Sequence, residues 1–160
     1  MAHKDFEDVS MFVHAESREA ELLRRQNECT FMRRTSEGDR VGVIMNYVWK
    51  DGRFVIAAIE KDPRVAIAIS SRGTAIGTSQ SVTYKGKAVL HDDPETTTWF
   101  YAALAAVVRP GEPDKQVAFA AHLDSPGRVV IELVPTVRIG FDSAAMFAGS
   151  KAGPSRTELA

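Results

Sequence analysis

The chain has 160 residues, which corresponds to one domain and little more. Hydrophobic residues make up 44% and charged residues 26%, a composition that excludes disorder along the whole chain. The net charge of −1 gives no sequence-wide attraction for nucleic acid or anionic membranes, and the single cysteine, Cys29, excludes an intrachain disulfide framework.

The sequence shows neither a secretory signal nor a membrane span. Residues 1–8 carry acids where a signal peptide needs basic residues followed by an apolar run. The apolar stretch 99–108 is shorter than the ~18 residues expected of a spanning helix. We therefore expect a cytoplasmic protein.

The first half of the chain predicts one helix followed by strands. Residues 16–27 are rich in Glu, Arg, Leu and Ala without Gly or Pro, which is typical of an amphipathic helix. Beyond them, apolar residues alternate with polar ones and turn formers such as Lys50-Asp51-Gly52 intervene. The strands predicted within 28–90 cover residues 29–34, 40–49, 53–58, 64–70 and 81–90.

The second half predicts two helices and a closing pair of strands. Asp93, Pro94 and Glu95 supply a capping residue, a first-turn proline and a first-turn acid. Helices are expected within 94–124, interrupted at 109–113, and the last strands within 128–141. The prediction is a single domain over 1–147, mainly β, with six antiparallel strands in a small barrel, and a flexible tail over 148–160.

The sequence contains no serine-hydrolase, zincin or phosphate-loop motif. The four histidines lack the spacing of metal ligands, so no metal site is predicted, and the lone Cys29 is typical of a small buried hydrophobe.

Trp99, Phe100 and Tyr101 are consecutive and cannot all face one core, which favours packing of one or two of them on a partner subunit. The strand face that contains Asn46 is too apolar for solvent, so it either lines a cavity or meets another subunit.

The order of several motifs resembles the pyridoxamine 5′-phosphate oxidase-like family. A leading helix is followed by Cys29-Thr30-Phe31, the run 42–54, Asp62-Pro63-Arg64-Val65-Ala66-Ile67 and Val82-Thr83-Tyr84-Lys85-Gly86. This order of elements covers residues 16–142. The resemblance implies a split β-barrel of the flavin-reductase or FMN-binding type, which dimerises and binds FMN, or a deazaflavin coenzyme, between the two subunits.

By position in these motifs, the resemblance implies three groups of cofactor-binding residues. One group would face the edge of the flavin ring, a second would end a strand near the cofactor, and a third would reach across from the partner subunit. They are, respectively, Val43, Met45 and Asn46; Ser70 and Ser71; and Gln80 and Ser81.

The sequence departs from the family after Ala58. The family has roughly ten residues there, with hydroxyls and Arg or Lys that hold the flavin phosphate, whereas Ile59-Glu60-Lys61 leads here directly to Asp62-Pro63. Three explanations stay open. The cofactor has been lost; Lys61 or Arg64 replaces the phosphate ligands; or the sequence omits a stretch, in which case two consecutive Cα atoms between Val55 and Ile59 would lie farther apart than ~3.8 Å.

These observations lead to a first hypothesis and two alternatives. The first is a homodimeric flavin- or deazaflavin-dependent oxidoreductase that transfers a hydride to or from a small organic substrate, with chemistry supplied mainly by the cofactor. The first alternative is a non-catalytic split-barrel dimer that binds a cofactor or another ligand. A closed barrel of the lipocalin kind is disfavoured because two helices interrupt the strands after Leu90.

Overall fold

The computed structural model describes residues 16–35, 37–58, 64–76, 80–126 and 128–143. The fold is mainly β, with one sheet and flanking helices, and confirms the predicted split-barrel class, although the sheet has seven strands rather than six. In chain order the elements are α1 (Glu16–Arg25), β1 (Glu28–Arg34), β2 (Arg40–Asn46), β3 (Val48–Lys50), β4 (Arg53–Ala58), β5 (Arg64–Ser70), β6 (Gln80–His91), α2 (Pro94–Val108), α3 (Pro113–Leu123) and β7 (Val129–Asp142).

The single strand predicted over 40–49 divides at Tyr47 into two strands, β2 and β3. The strand order in the sheet is β2-β1-β5-β6-β7-β4-β3, so β2 and β3 lie at opposite ends. β2 pairs antiparallel with β1 from Asn46 to Arg40, and β3 pairs antiparallel with β4. The alternation of apolar residues continues through Tyr47, but the two halves have different partners.

The chain forms two compact units. The first comprises residues 1–26, 69–83 and 138–160. Within its described part, the carboxylate of Glu19 on α1 is buried and forms an ion pair with Arg138. The side-chain amide of Gln26 donates hydrogen bonds to the carbonyl oxygens of Ser70 (2.8 Å) and Arg72 (3.2 Å), which joins the end of α1 to the end of β5.

The second unit comprises residues 27–68 and 84–137, and its β4 strand separates two apolar layers. Phe54 is fully buried on one face, and its ring lies 4.7 Å from that of Tyr84 and 5.7 Å from that of Tyr47, between centroids. Val55 points to the other face, as the period of two requires. There it belongs to a buried cluster that includes residues from both α2 and α3, such as Phe100 and Leu123.

Local signals placed the Asp51-Gly52 turn and the start of α2 correctly. Asp51 and Gly52 both have positive φ (51° and 76°) in a two-residue hairpin turn closed by the pair Lys50↔Arg53. Asp93 caps α2, because its carboxylate accepts a hydrogen bond of 2.8 Å from the amide of Thr96.

The closing pair of strands predicted within 128–141 is one continuous strand, β7. Pro135 lies inside it and lacks the amide hydrogen that a fully paired strand needs. The described pairing of β7 with β4 runs from Val129 to Leu133 and therefore ends before Pro135. The single domain over 1–147 stays a prediction, and the tail over 148–160 lies outside the described residues.

Gly86 in β6 lies where two backbones come close together. A Cβ atom at this position would overlap the carbonyl group of Val134, a backbone group that cannot rotate away. β6 is a continuous strand over Gln80–His91 and runs through this position. The close approach is a sufficient physical reason for glycine here.

We predict that Gly86→Ala destabilises the protein by about 1–3 kcal/mol, because the new methyl group forces β6 and β7 apart. Urea unfolding measures this loss. Gly42→Ala is the matched control in β2, where the nearest atom to the added Cβ is the movable methyl group of Thr30 at 3.1 Å. Equal losses in the two variants would contradict the proposed role of Gly86.

Candidate functional site

An open cleft of about 450 Å³ lies on the face of β4 and β7 that carries Val55 and Glu132. Its volume falls in the range of small-molecule sites. Strands β3, β4 and β7, the end of β6 and the first turns of α2 all contribute side chains. We call it the Glu132 cleft; it is lined by Lys50, Asp51, Arg53, Val55, His91, Thr96, Trp99 and Glu132.

Glu132 is the centre of the charged groups in this cleft. Its carboxylate accepts a hydrogen bond from Nη1 of Arg53 (2.6 Å) on one oxygen and from Nε2 of His91 (2.8 Å) on the other. The Glu132 side chain is only 12% exposed, whereas that of Arg53 is 55% exposed. Burial acts to raise the pKa of Glu132, but the hydrogen bonds and charges of Arg53 and His91 together hold it below its ordinary value.

His91 lies between two carboxylates. Because the ionised Glu132 can only accept, Nε2 of His91 is the donor in their hydrogen bond. Nδ1 of His91 lies 3.7 Å from a carboxylate oxygen of Asp93, beyond hydrogen-bond length. Asp93 is itself occupied as the cap of α2, and the hydrogen bond from the Thr96 amide lowers its pKa.

Lys50 and Trp99 form one wall of the cleft. The ammonium of Lys50 lies 4.2 Å from the centroid of the Trp99 ring, a cation–π contact. Lys50 and Arg53 are also directly paired across the β3–β4 hairpin, so both cations point to the same face of the sheet. Like charges in this position repel, and the Trp99 ring and the Glu132 carboxylate each offset one of them.

The residues predicted to face a flavin ring lie on β2, at the end of the sheet. Val43 is 48% exposed, and its neighbour Ile44 is 71% exposed on the opposite face of the strand. Met45 and Asn46 are half-buried. Nδ2 of Asn46 donates to the carbonyl oxygen of Asn27 (3.1 Å), and within the described ranges no hydrogen bond is made by its Oδ1.

Ser70, Ser71 and Gln80 are brought together in the first unit. Ser71 and Gln80 are buried and bound to each other: the Ser71 amide donates to the Gln80 carbonyl (2.8 Å), and the Gln80 amide donates to the Ser71 hydroxyl (3.0 Å). The Gln80 side chain donates to the buried Asp142 (3.1 Å), and its Oε1 has no partner among the described residues. Ser70 accepts a bond of 3.2 Å from the Arg72 amide.

The remaining predicted residues lie apart from these groups. Arg64 is exposed at the first position of β5, and Ser81 is half-buried near the start of β6. Lys61 lies outside the described residues. The pairing of β4 with β7 is consecutive from Phe54 to Ala58, so no interruption occurs between Val55 and Ala58.

The sequence did not indicate the Glu132 cleft, and none of the predicted residues that the structure describes lines it. One or two of Trp99, Phe100 and Tyr101 were expected to pack on a partner subunit, and this stays a prediction; within the chain, the Trp99 ring contacts Lys50, and Phe100 and Tyr101 are buried in the core. The Lys50↔Arg53 pair was the available signal, since a two-residue Asp-Gly turn fixes which residues face each other.

Cys29 is not an available nucleophile in this structure. Its thiol is buried in β1, and burial is the main cause that raises its pKa to about 12. No group of three or more potential metal-ligating side chains occurs in the described ranges. No helix in the part of the chain that the structure describes is both long and apolar enough to cross a membrane.

Comparison with solved structures identifies proteins of the same fold. A conserved hypothetical protein from Mycobacterium tuberculosis aligns with a TM-score of 0.71 at 17% identity, over 92% of this chain and 97% of that one. A protein from Listeria innocua assigned as a pyridoxamine 5′-phosphate oxidase aligns with a TM-score of 0.55 at 16% identity, over 77% of this chain and 94% of that one.

A solved F420 reductase aligns with a TM-score of 0.51 at 18% identity, over 74% of this chain and 93% of that one. No model of a protein family and no curated protein matches the sequence. The resemblance to the pyridoxamine 5′-phosphate oxidase-like family is therefore confirmed at the level of the fold.

We predict that Glu132→Gln lowers the free energy of unfolding at neutral pH by about 1–3 kcal/mol, because two donors lose an ionised acceptor. The pKa of Glu132 is lowered in the folded state, so its stabilisation is complete above its ordinary value of 4.5 and is lost as the pH falls towards the lowered value. The variant should therefore lose less stability than the wild type between about pH 5 and about pH 3.

Urea unfolding across this pH range tests the prediction. Glu112→Gln serves as the control, because Glu112, the cap residue before α3, forms an exposed pair with Lys115 and such pairs contribute little. Wild-type and Glu132→Gln curves that run parallel across the acidic range would contradict the role assigned to Glu132.

Proposed function

We propose that two copies of this chain form a cytoplasmic dimer that binds a flavin or deazaflavin at β2 and acts as an oxidoreductase on a small organic substrate. The exposed end strand of the sheet is the observation that carries this proposal. β2 has no neighbour on its outer side within the described sheet, and Val43 and Ile44 leave both of its faces apolar and uncovered. Such a strand needs a partner to avoid uncontrolled association.

The residues of β2 fit a flavin-type ring. A planar ring with a polar edge requires apolar walls and a few hydrogen-bonding groups. Val43 and Met45 supply apolar surface on one face of the strand, and Oδ1 of Asn46 is an amide oxygen that can accept a hydrogen bond from a ring N–H. Ser71 and Gln80 do not fit, because both are buried and bonded within the chain, so they stabilise the loop between β5 and β6.

When bound, a flavin or deazaflavin would supply the hydride chemistry. The chain's own residues then have three tasks. Asn46, the last residue of β2 and on the opposite face of the strand from Val43 and Met45, orients the edge of the ring through its amide oxygen. Val43 and Met45 exclude water from one side of it. Arg64, exposed at the start of β5, and Lys61 are the cations nearest in sequence to the place where the family holds the phosphate.

FMN is the cofactor favoured by the resemblance, and a deazaflavin is favoured by the fold shared with the F420 reductase. The alternative function is a non-catalytic dimer that binds a ligand but no redox cofactor. The short connection after Ala58 supports this alternative, since it leaves few residues to hold a phosphate.

A charge on the exposed strand should prevent the dimer. We predict that Ile44→Asp converts the protein to a monomer, because a desolvated carboxylate in an apolar interface costs several kcal/mol. Sedimentation equilibrium measures the mass. Val117→Asp on α3 is the matched control, since Val117 is 73% exposed and Ile44 is 71% exposed. A monomeric wild type would contradict the proposal, as would a dimer that only Val117→Asp dissociates.

Cofactor binding is tested by titrating the purified protein with FMN and with F420, following the absorbance of the ring. Asn46→Ala should weaken binding about fivefold, the equivalent of one lost hydrogen bond of ~1 kcal/mol. Gln116→Ala is the control, because its amide also donates to a single backbone carbonyl, that of Arg109 at 2.7 Å. Failure of the wild type to bind either cofactor would favour the non-catalytic alternative, and unchanged binding by Asn46→Ala would exclude the proposed role of that residue.

A further inference from the structure

The two cations of the Glu132 cleft, Lys50 and Arg53, have more hydrogen-bond donors than the described residues of the chain accept. Lys50 has an aromatic ring as its partner, and the described residues provide no carboxylate for its ammonium. Arg53 donates to Glu132 through one nitrogen, Nη1, and its side chain is 55% exposed. A guanidinium has five N–H donors, so most of those of Arg53 stay open to the cleft.

The positions of Lys50 and Arg53 suit one anionic group held between them. The two residues are a direct cross-strand pair in the β3–β4 hairpin, which places their Cβ atoms ~5 Å apart on the same face. Two cations so placed repel each other. A carboxylate that accepts hydrogen bonds from both removes that repulsion and uses donors that otherwise face solvent.

The rest of the cleft favours an anion attached to a flat apolar group. Trp99 is half-buried and forms a wall beside Lys50, and Val55 lies on the floor next to Glu132. Thr96, one helical turn before Trp99, adds a hydroxyl on the same side of α2. The volume of about 450 Å³ accepts a single-ring compound.

We propose that the Glu132 cleft binds a small aromatic carboxylate, with its carboxylate between Lys50 and Arg53 and its ring against Trp99 and Val55. This site shares no residue with the β2 site proposed for the cofactor, and it lies within a single chain. Glu132 and His91 have a positioning role, because Glu132 holds Arg53 and is itself bound by His91.

The experiment uses Trp99 as the reporter. The chain has two tryptophans, so Trp49→Phe leaves Trp99 as the only emitter. Titration of this variant with benzoate, without any flavin, should give a saturable change in fluorescence. Benzyl alcohol, which has the ring without the charge, and acetate, which has the charge without the ring, should each bind at least tenfold more weakly.

Lys50→Gln in the same background should weaken benzoate binding at least tenfold. Lys115→Gln is its control, since Lys115 is exposed on α3 and pairs with Glu112. Benzoate should also raise the melting temperature of the unmodified protein and of Lys115→Gln but not that of Lys50→Gln, which shows in the same measurement that each variant is folded.

Three results would overturn the proposal. One is the absence of a saturable response to benzoate through the millimolar range. Another is an equal loss of binding in Lys50→Gln and Lys115→Gln, which would mean unspecific charge screening. The third is displacement of benzoate by FMN, which would make the cleft part of the cofactor's own site. Because the benzoate titration itself contains no flavin and FMN is added only in a separate competition, failure of the β2 proposal leaves the titration unaffected.

Discussion

The fold depends on one short connection, the residue Tyr47 between β2 and β3. These strands lie at opposite ends of the sheet order, yet only Tyr47 separates them along the chain. Two peptide steps span at most ~7 Å, so the two ends of the sheet must come together at this residue. Tyr47 is buried there, its amide donates to the carbonyl of Asn27 (3.3 Å), and its ring contacts Phe54. Burial also raises the pKa of its hydroxyl, so the residue stays neutral.

The alternation of side chains gives β4 and β7 two different faces. One face carries Phe54 and Leu133, a directly paired and fully buried couple. The other carries Val55, in the cluster with residues of α2 and α3, and then Glu132 where that apolar cluster ends. A carboxylate so little exposed is stable only with cations beside it. Arg53 meets this requirement and His91 adds a hydrogen-bond donor, so the end of the apolar layer becomes a polar cleft.

Local sequence signals predicted the elements well because their causes are local. The positive φ values of Asp51 and Gly52, and the capping of α2 by Asp93, depend on residues within one turn. The division at Tyr47 could not be predicted in this way, since apolar alternation runs through it and the partners of β2 and β3 decide the break. The face of β2 that contains Asn46 was expected to be too apolar for solvent, and Ile44 on that face is 71% exposed, so the cavity or subunit that would cover it stays a prediction.

The candidate site was harder to predict because its parts come from five separate elements. Glu132 and His91 are 41 positions apart, and no motif connects them. The pairing of the cations Lys50 and Arg53 could be predicted from the sequence, since a two-residue turn fixes their register. Two like charges facing each other reduce stability, so their occurrence beside a turn indicates that something of opposite charge is near. Glu132 offsets one of them through Arg53, whereas Lys50 is balanced only by the weaker attraction of an aromatic ring. An anion bound from solution would complete this balance, and the cleft leaves the space for it.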